Sequence, residues 1–176
     1  MNTDIMMPLL TSKSEILNEK MIVLLNREVP NIMKIRPWSL LFSISHDGGS
    51  MITFYEMTKK YSGTIILVRD SKNAVFGGYA NAEWHIDKYF YGTGESFIFS
   101  YYNTTLMDVY RWNGGPEYFM WSDDSSIALG GGEKLGLYIY EDFTKGKTNK
   151  CLSFNNKPLT SVEFNIDYLE VWGSLK

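Results

Sequence analysis

One thiol and two imidazoles are the side chains of this sequence best suited to nucleophilic chemistry. Cys151 beside His46 or His85 would form a nucleophile and its base, yet no spacing in the sequence places the cysteine near either histidine. Cys151 lies in the run CLSF, where alternation is typical of a small apolar strand residue. We therefore expect a buried, inert cysteine and no catalytic residue.

Metal and cofactor chemistry is also disfavoured by the motifs. A single cysteine excludes an intramolecular disulfide and any multi-cysteine metal site, and it suits a reducing compartment. The two histidines lack the H-x-E, H-E-x-x-H and C-x-x-C patterns of zinc proteins. The sequence therefore predicts no metal and no cofactor.

The acidic residues are of two kinds. Glu95 and Glu170 lie among aromatic or apolar strand residues, where a carboxylate needs hydrogen-bond donors. We expect both to be architectural, each accepting hydrogen bonds inside or at the rim of the fold, and general acid–base catalysis by these two carboxylates is the alternative. Two neighbouring pairs in predicted turns are interpreted as solvated surface: Asp123 with Asp124 and Glu141 with Asp142.

A cluster of glycines lies in residues 126–140, between two short apolar runs. A phosphate-binding loop would need a lysine after its G-x-x-x-x-G spacing, and Leu137 stands there instead. The aromatic and β-branched residues that follow favour a strand over a helix. We predict two strands joined by a tight, packed turn that is built on four glycines: Gly130, Gly131, Gly132 and Gly136.

Composition indicates one mainly β domain over residues 1–176. Aromatic residues make up 15% of the chain, including 12 Tyr, which suits pleated sheets. The net charge of −3 and the scattered basic residues exclude a nucleic-acid footprint. Residues 5–10 are too short and too interrupted by proline for a signal peptide or a membrane span. We expect a cytosolic or nuclear protein without direct membrane insertion, and of the two we favour the cytoplasm.

Two helices are predicted near the amino end. Ser12 and Glu15 have the spacing of a capping box, and apolar residues then repeat at helical intervals, which predicts a helix over 12–26. Ser50 can cap a second helix within residues 50–61. Both helices should pack one face on the sheets.

Strand patterns occupy most of residues 38–172. The run TIILV at 64–68 is apolar at nearly every position, which favours a central strand covered on both faces. Residues 81–94 are interpreted as a packed, aromatic-anchored loop, and the strands of 96–121 as a meander. Strand count and spacing predict a two-sheet antiparallel β-sandwich with flanking helices. The remaining predicted strands cover residues 38–44, 74–80, 96–102, 107–112, 117–121, 151–154 and 161–172.

Taken together, these runs resemble the TLDc family, the TBC/LysM-associated domain of oxidation-resistance proteins. The resemblance spans nearly the whole chain in the family's order, so no single short motif carries it. The matching stretches are residues 38–48, 63–70, 75–80, 90–99, 109–112, 118–119, 126–137, 151 with 154–155, and 169–172.

The resemblance implies a β-sandwich that protects cells against oxidative stress without an established catalytic site. It also implies binding to the vacuolar-type proton ATPase, at its soluble catalytic sector and peripheral stalk, with inhibition or disassembly as the result. The family motif residues are then structural: Gly92, Gly94, Glu95, the four glycines of 130–136, Glu170 and Trp172. A partner surface is expected around His46, Asp47, Trp84, His85, Tyr89 and Trp121, and at residues 173–176.

Three functional hypotheses follow. The chain is a regulatory binding module for the proton ATPase, a structural subunit of another assembly that reuses the fold, or, least favoured, an enzyme of antioxidant defence. Fold alone does not separate them, because sites and surfaces carry function. Affinity purification from the source cell would discriminate, since ATPase subunits, a different stable assembly, or no protein partner would each select one hypothesis.

Overall fold

Ten antiparallel strands dominate the structure, a computed structural model that describes residues 7–174. Their order is β5-β4-β3-β2-β10-β9-β8-β7-β6, and β1 also pairs with β10. The strands are β1 (Trp38–Ser43), β2 (Thr64–Asp70), β3 (Val75–Ala80), β4 (Phe97–Tyr101), β5 (Met107–Arg111), β6 (Met120–Ser122), β7 (Ile127–Leu129), β8 (Leu137–Tyr140), β9 (Lys145–Lys147) and β10 (Glu163–Ser174).

Strand β10 belongs to both sheets of the sandwich. Its first residues, from Glu163 to Asn165, pair with β9, and its later residues pair with β1 and β2. The two sheets face each other closely, because a Cβ added at Gly78 of β3 would collide with Leu129 of β7. The two-sheet antiparallel sandwich predicted from the sequence is therefore confirmed.

Aromatic side chains fill the space between the sheets. Phe76 of the first sheet meets Phe164 edge-on, with ring centroids 4.8 Å apart. Phe42, Phe54 and Phe143 form a second group at one end, with centroids between 5.2 and 5.6 Å apart. All of these rings belong to one continuous buried cluster, so the two sheets share a single core.

A second buried cluster lies on the outer face of the first sheet. Strand β2 divides the two clusters, since Ile66 and Val68 point to the inner core while Ile65 and Leu67 point outward. The helix α1 (Glu19–Glu28) covers this outer face, and the Tyr101 hydroxyl donates a hydrogen bond to the Met21 carbonyl at 2.7 Å. Strand β2 is thus central and covered on both faces, as predicted.

The amino-terminal helix is shorter than predicted, because it begins at Glu19 and not at residue 12. Asn18 is its cap and accepts a hydrogen bond from the Met21 N–H. Ser12 and Glu15 do not form a capping box; Ser14 accepts from the N–H groups of residues 16 and 17 and donates to Glu170. Residues 10–18, which we call the N-terminal strap, are therefore held against the first sheet by these contacts.

Three further helices follow the strap. Ser50 caps α4 (Met51–Thr58) through the Thr53 N–H, which confirms the second predicted helix. The predicted turn after β1 contains a short helix, α3 (Ile44–Asp47), and α2 (Asn31–Lys34) follows Pro30. Within residues 7–174 no helix has the length and apolar character needed to cross a membrane.

Two strand predictions are wrong. Strands β5 and β6 do not form a meander, because β5 pairs with β4 and β6 pairs with β7, at opposite ends of the strand order. The glycine-rich residues 113–116 carry the chain from one sheet to the other. Cys151–Phe154 is a turn and not a strand, closed by the Asn155 N–H donating to the Cys151 carbonyl at 2.9 Å.

Candidate protein-binding surface

Residues 81–94, here called the aromatic loop, connect β3 to β4 and pack along the outer edge of β6. Tyr91 and Met120 exchange two backbone hydrogen bonds of 2.9 Å, and the Asp87 N–H donates to the Ser122 carbonyl at 3.2 Å. The loop therefore covers the exposed edge of the second sheet, which otherwise offers unpaired backbone groups.

Trp84 anchors this loop from within. Its ring is 2% exposed and lies 5.8 Å from Phe54, edge to face. The indole N–H donates to the Thr64 hydroxyl at 2.9 Å, so its polar group is satisfied in the core. The expectation that Trp84 lies at a partner surface is wrong: the residue holds the loop, and its neighbours are presented to solvent.

His85 stands on the solvent side of the loop and stacks on Tyr91 with centroids 4.1 Å apart. Its Nδ1 lies 2.9 Å from the Glu83 carbonyl oxygen and its Nε2 lies 3.2 Å from an Asp87 carboxylate oxygen. Both neighbours are acceptors, so these contacts fix the orientation of the ring. The N–H of Tyr89 and the contact with His85 hold the pKa of Asp87 below its usual range.

Large apolar side chains project from the tip of the same loop. Ile86 is 58% exposed and Tyr89 is 75% exposed. Trp121 of β6 is half-buried beside them, with its ring 5.4 Å from Phe90. Aromatic groups held on an ordered backbone are the kind of anchor that dominates protein interfaces. The tip of the loop can therefore bind protein without first becoming ordered.

The predicted turn around His46 forms a second exposed element, residues 43–50, which we call the helical corner. His46 is exposed, whereas Asp47 accepts a hydrogen bond from the Ser43 N–H at 2.9 Å and so shapes the corner. Gly49 lies tightly against the backbone of Asp142. No hydrogen bond, ion pair or ring contact found among residues 7–174 joins His46 to the aromatic loop.

Helix α4 links the corner to the loop. It follows Gly49 directly, its Phe54 packs on Trp84, and its Tyr55 hydroxyl donates to the Asp123 carbonyl at 2.6 Å just after β6. Burial raises the pKa of Tyr55, so this hydroxyl stays protonated. The helical corner, α4 and the aromatic loop therefore occupy one end of the sandwich.

The predicted glycine turn joins β7 to β8 as a packed structural element. Gly130 and Gly132 have φ angles of +82° and +97°, which favour glycine. A Cβ at Gly131 would meet Phe90 and Tyr118, and one at Gly136 would approach Ile98 and Cys151. The turn therefore supports the aromatic loop through Phe90. Earlier in the chain, Gly92 packs on Met120 and Gly94 under Trp112.

Cys151 is buried beneath this turn, as predicted from the sequence. Its thiol lies 3.2 Å from the side-chain oxygen of Asn156. Burial raises the pKa of the Cys151 thiol, which disfavours the reactive thiolate. The two histidines lie on other elements, the helical corner and the aromatic loop.

The two singled-out carboxylates have different environments. Glu170 is 2% exposed on the outer face of the first sheet and accepts three hydrogen bonds, from the Ser14 hydroxyl, the Glu15 N–H and the Trp172 indole. Trp172 itself is buried. Glu95 is exposed in the turn before β4, and its carboxylate accepts no hydrogen bond from the residues that the structure describes. The architectural role expected for Glu95 is therefore wrong.

Sequence reasoning missed the turn between β8 and β9. Glu141, Asp142 and Phe143 all have positive φ angles, between 49° and 63°. No glycine or asparagine marks this left-handed turn, which inserts Phe143 between Phe42 and Phe54.

Residues 173–176 were also expected to form part of the contact surface. Gly173 is buried, and residues 175–176 lie outside the described part of the chain.

Comparison with known proteins locates this fold within a family. A family model described as the TLDc domain matches residues 10–174. Nuclear receptor coactivator 7 of Mus musculus is 34% identical over 169 residues, which cover 94% of this chain and 18% of that protein. Oxidation resistance protein 1 of Homo sapiens is 32% identical over 168 residues, covering 94% and 19%. The GTPase-activating protein skywalker of Drosophila melanogaster is 35% identical over 153 residues, covering 76% and 26%. The chain thus spans about a fifth to a quarter of the length of these relatives.

Proposed function

This chain belongs to the TLDc domain family, and from that premise we propose that it is an oxidation-resistance-like module that acts by binding another protein. The observation that carries the proposal is the end of the sandwich formed by the aromatic loop, α4 and the helical corner. Exposed aromatic and aliphatic groups stand there on a backbone fixed by Trp84 and by the bridge between Tyr91 and Met120. Such preorganisation reduces the entropy lost on binding.

The partner in this proposal is the vacuolar-type proton ATPase, contacted at its soluble sector and peripheral stalk. The support is the family resemblance, which the match over residues 10–174 extends to nearly the whole chain. The protein would then work in the cytoplasm and reach an organelle membrane through its partner. To inhibit or disassemble the ATPase, it must bind one conformational state of the ATPase more tightly than another.

The proposal includes no turnover of a substrate. Cys151 is 1% exposed and has a raised pKa, which disfavours a peroxide-reducing thiolate. The carboxylate of Glu95 is exposed to solvent. The carboxylate of Glu170 is buried and already accepts hydrogen bonds from the protein. These features support binding over catalysis.

The test mixes the purified chain with intact proton ATPase and follows binding, proton-pumping rate and the fraction of free soluble sector. Tyr89→Ala should weaken binding by roughly tenfold or more if Tyr89 is an anchor of the interface. Tyr102→Ala is the matched control, because Tyr102 is equally exposed, at 79% against 75%, but lies at the end of β4 away from the loop.

Two results would contradict the proposal. One is the absence of binding at micromolar concentration together with recovery of the chain in an unrelated stable complex, which would select the structural-subunit hypothesis. The other is equal loss of binding in Tyr89→Ala and Tyr102→Ala, which would place the contact elsewhere.

A further inference from the structure

A small cavity of about 240 Å³ lies on the outer side of the first sheet, away from the inner core. It is formed where α2, the start of β2, the end of β3, the turn before β4 and the end of β10 meet. Its walls combine aromatic, polar and charged side chains. The lining residues that matter for its chemistry are Arg36, Tyr61, Gly63, Tyr79, Asn81 and Glu95.

Two opposite charges share this cavity without neutralising each other. Arg36 is half-buried and Glu95 is exposed at the mouth. None of the four ion pairs found in residues 7–174 involves Arg36 or Glu95, and neither side chain takes part in a hydrogen bond there. A guanidinium and a carboxylate that both face one cavity present complementary charges to a bound molecule.

The hydroxyl of Tyr79 also faces the cavity without a protein partner. The residue as a whole is 3% exposed, and its ring stacks on Phe97 with centroids 5.6 Å apart. Within residues 7–174 the hydroxyl makes no hydrogen bond, and it is not among the buried polar atoms left without a partner, so it is open to solvent in the cavity. This hydroxyl is therefore available to hydrogen-bond a molecule bound there.

The space around that hydroxyl depends on a glycine. A Cβ added at Gly63 would lie 2.8 Å from the Tyr79 hydroxyl oxygen, closer than side-chain carbons approach. Gly63 has no unusual backbone angle, so its lack of a side chain matters for space and not for conformation. Glycine at this position therefore makes room for the Tyr79 hydroxyl, and a larger residue would displace it.

The protonation state of Tyr79 fits a neutral hydrogen-bonding group. Burial, and then the nearby charge of Glu95, raise the pKa of Tyr79 to about 12. The hydroxyl therefore keeps its proton at physiological pH and can both donate and accept a hydrogen bond.

We propose that this cavity is a binding site for a small zwitterion of the α-amino acid class. Its carboxylate pairs with Arg36, its ammonium group pairs with Glu95, and the Tyr79 hydroxyl bonds its polar end. A simple anion would meet the charge of Glu95, and a simple cation would meet that of Arg36, so a molecule carrying both charges fits best. The cavity is smaller than the ~300–1,000 Å³ typical of sites for larger organic ligands.

The binding test uses the purified chain alone and three probes: glycine, L-alanine and L-serine. Each probe is titrated to millimolar concentration while the amide resonances of residues 62–63 and 79–81 are followed by NMR. At least one probe should shift these resonances in a saturable way. Acetate and methylammonium carry one charge each and should bind roughly tenfold more weakly.

Variants separate a specific site from general surface effects. Arg36→Gln and Glu95→Gln should each weaken binding by roughly tenfold, because each removes a charged partner. Gly63→Ala should weaken binding, because the added Cβ would collide with the Tyr79 hydroxyl and displace it. Glu117→Gln is the control, since Glu117 is also an exposed carboxylate but does not line the cavity.

The proposal is overturned if none of the three amino acids shifts the cavity resonances at millimolar concentration. It is also overturned if binding is seen but Arg36→Gln and Glu95→Gln bind as tightly as the parent chain. Thermal unfolding of each variant checks that the fold is intact, and Tyr79→Phe provides a second, isosteric probe of the site. Because the ATPase takes no part in these measurements, their outcome is independent of the proposed partner.

Discussion

Two glutamates with similar sequence surroundings occupy opposite environments in this fold. Glu170 is buried on the outer face of the first sheet and accepts three hydrogen bonds. Glu95 is exposed in a turn, beside a cavity, and accepts none from the residues described. Apolar neighbours in sequence therefore do not determine whether a carboxylate is buried.

The difference arises from what covers each position. Glu170 lies in the middle of β10, where β1 and β2 pair on either side and the N-terminal strap supplies donors. Glu95 precedes β4 by two residues, at a point where the chain turns and its backbone N–H bonds the Thr93 hydroxyl. A segment 155 residues away decides the role of Glu170, and no local pattern contains that information.

The largest expected effect is at Glu170. Glu170→Ala leaves the Ser14 hydroxyl, the Glu15 N–H and the Trp172 N–H without an acceptor. Each orphaned buried donor costs about 1–3 kcal/mol, so we expect the free energy of unfolding to fall by about 3 kcal/mol. Urea denaturation measures it. A loss of stability below about 0.5 kcal/mol would show that the Glu170 carboxylate, like that of Glu95, contributes little to the stability of the fold.

A smaller loss is expected at the other end of the same contact. Ser14→Ala removes the hydroxyl that binds Glu170 and that accepts from the N–H groups of residues 16 and 17. Loss of these hydrogen bonds should cost about 1–2 kcal/mol. Hydrogen exchange should be faster for the amides of the N-terminal strap than in the parent chain. Unchanged exchange there would show that the strap is held by apolar contacts alone.

The neighbourhood of Glu95 predicts an effect at high pH. From pH 10 to about 12 the unfolded chain loses the Tyr79 proton while the folded chain keeps it, so stability falls as pH rises. Tyr79→Phe removes this contribution, and its stability should fall by about 1 kcal/mol less between pH 10 and 11 than that of the parent chain. Denaturation curves at both pH values measure the difference. If Tyr79→Phe and the parent chain lost equal stability between these pH values, Tyr79 would have the same pKa in the folded and unfolded states.

The smallest effect is expected at Glu95 itself. Glu95→Gln breaks no hydrogen bond found in residues 7–174, so its stability should stay within about 0.5 kcal/mol of the parent chain. Thermal unfolding at neutral pH provides the measurement, with Glu117→Gln as the control. A large loss in Glu95→Gln alone would restore the architectural role that its sequence context suggested.

Much of the architecture was predictable from local signals. The run at 64–68 marked the central strand, the glycines of 130–136 marked the turn between two strands, and Ser50 marked a helix start. The family resemblance set the order of these elements. Each of these features depends on residues close together in sequence, where spacing is informative.

Other features depend on distant partners and were missed. The capping spacing at residues 12–15 was overridden because Ser14 binds Glu170. The meander failed because residues 113–116 carry the chain from β5 to the other sheet, where β6 pairs with β7. Trp84 was expected at the surface, but it is buried, where its indole N–H donates to Thr64 and its ring packs on Phe54. At the candidate site, the sequence identified the loop and two of its exposed residues, His85 and Tyr89, but misplaced Trp84.

In the proposed complex the chain contacts its partner through the end formed by the aromatic loop and the helical corner. Hydrogen exchange of the chain, measured alone and with the purified soluble sector of the proton ATPase, tests this contact. We expect slower exchange of amides at residues 85–91 and 43–50 on binding, with the amides of residues 14–17 unchanged. Slower exchange confined to the N-terminal strap, or no change anywhere at saturating partner, would contradict it.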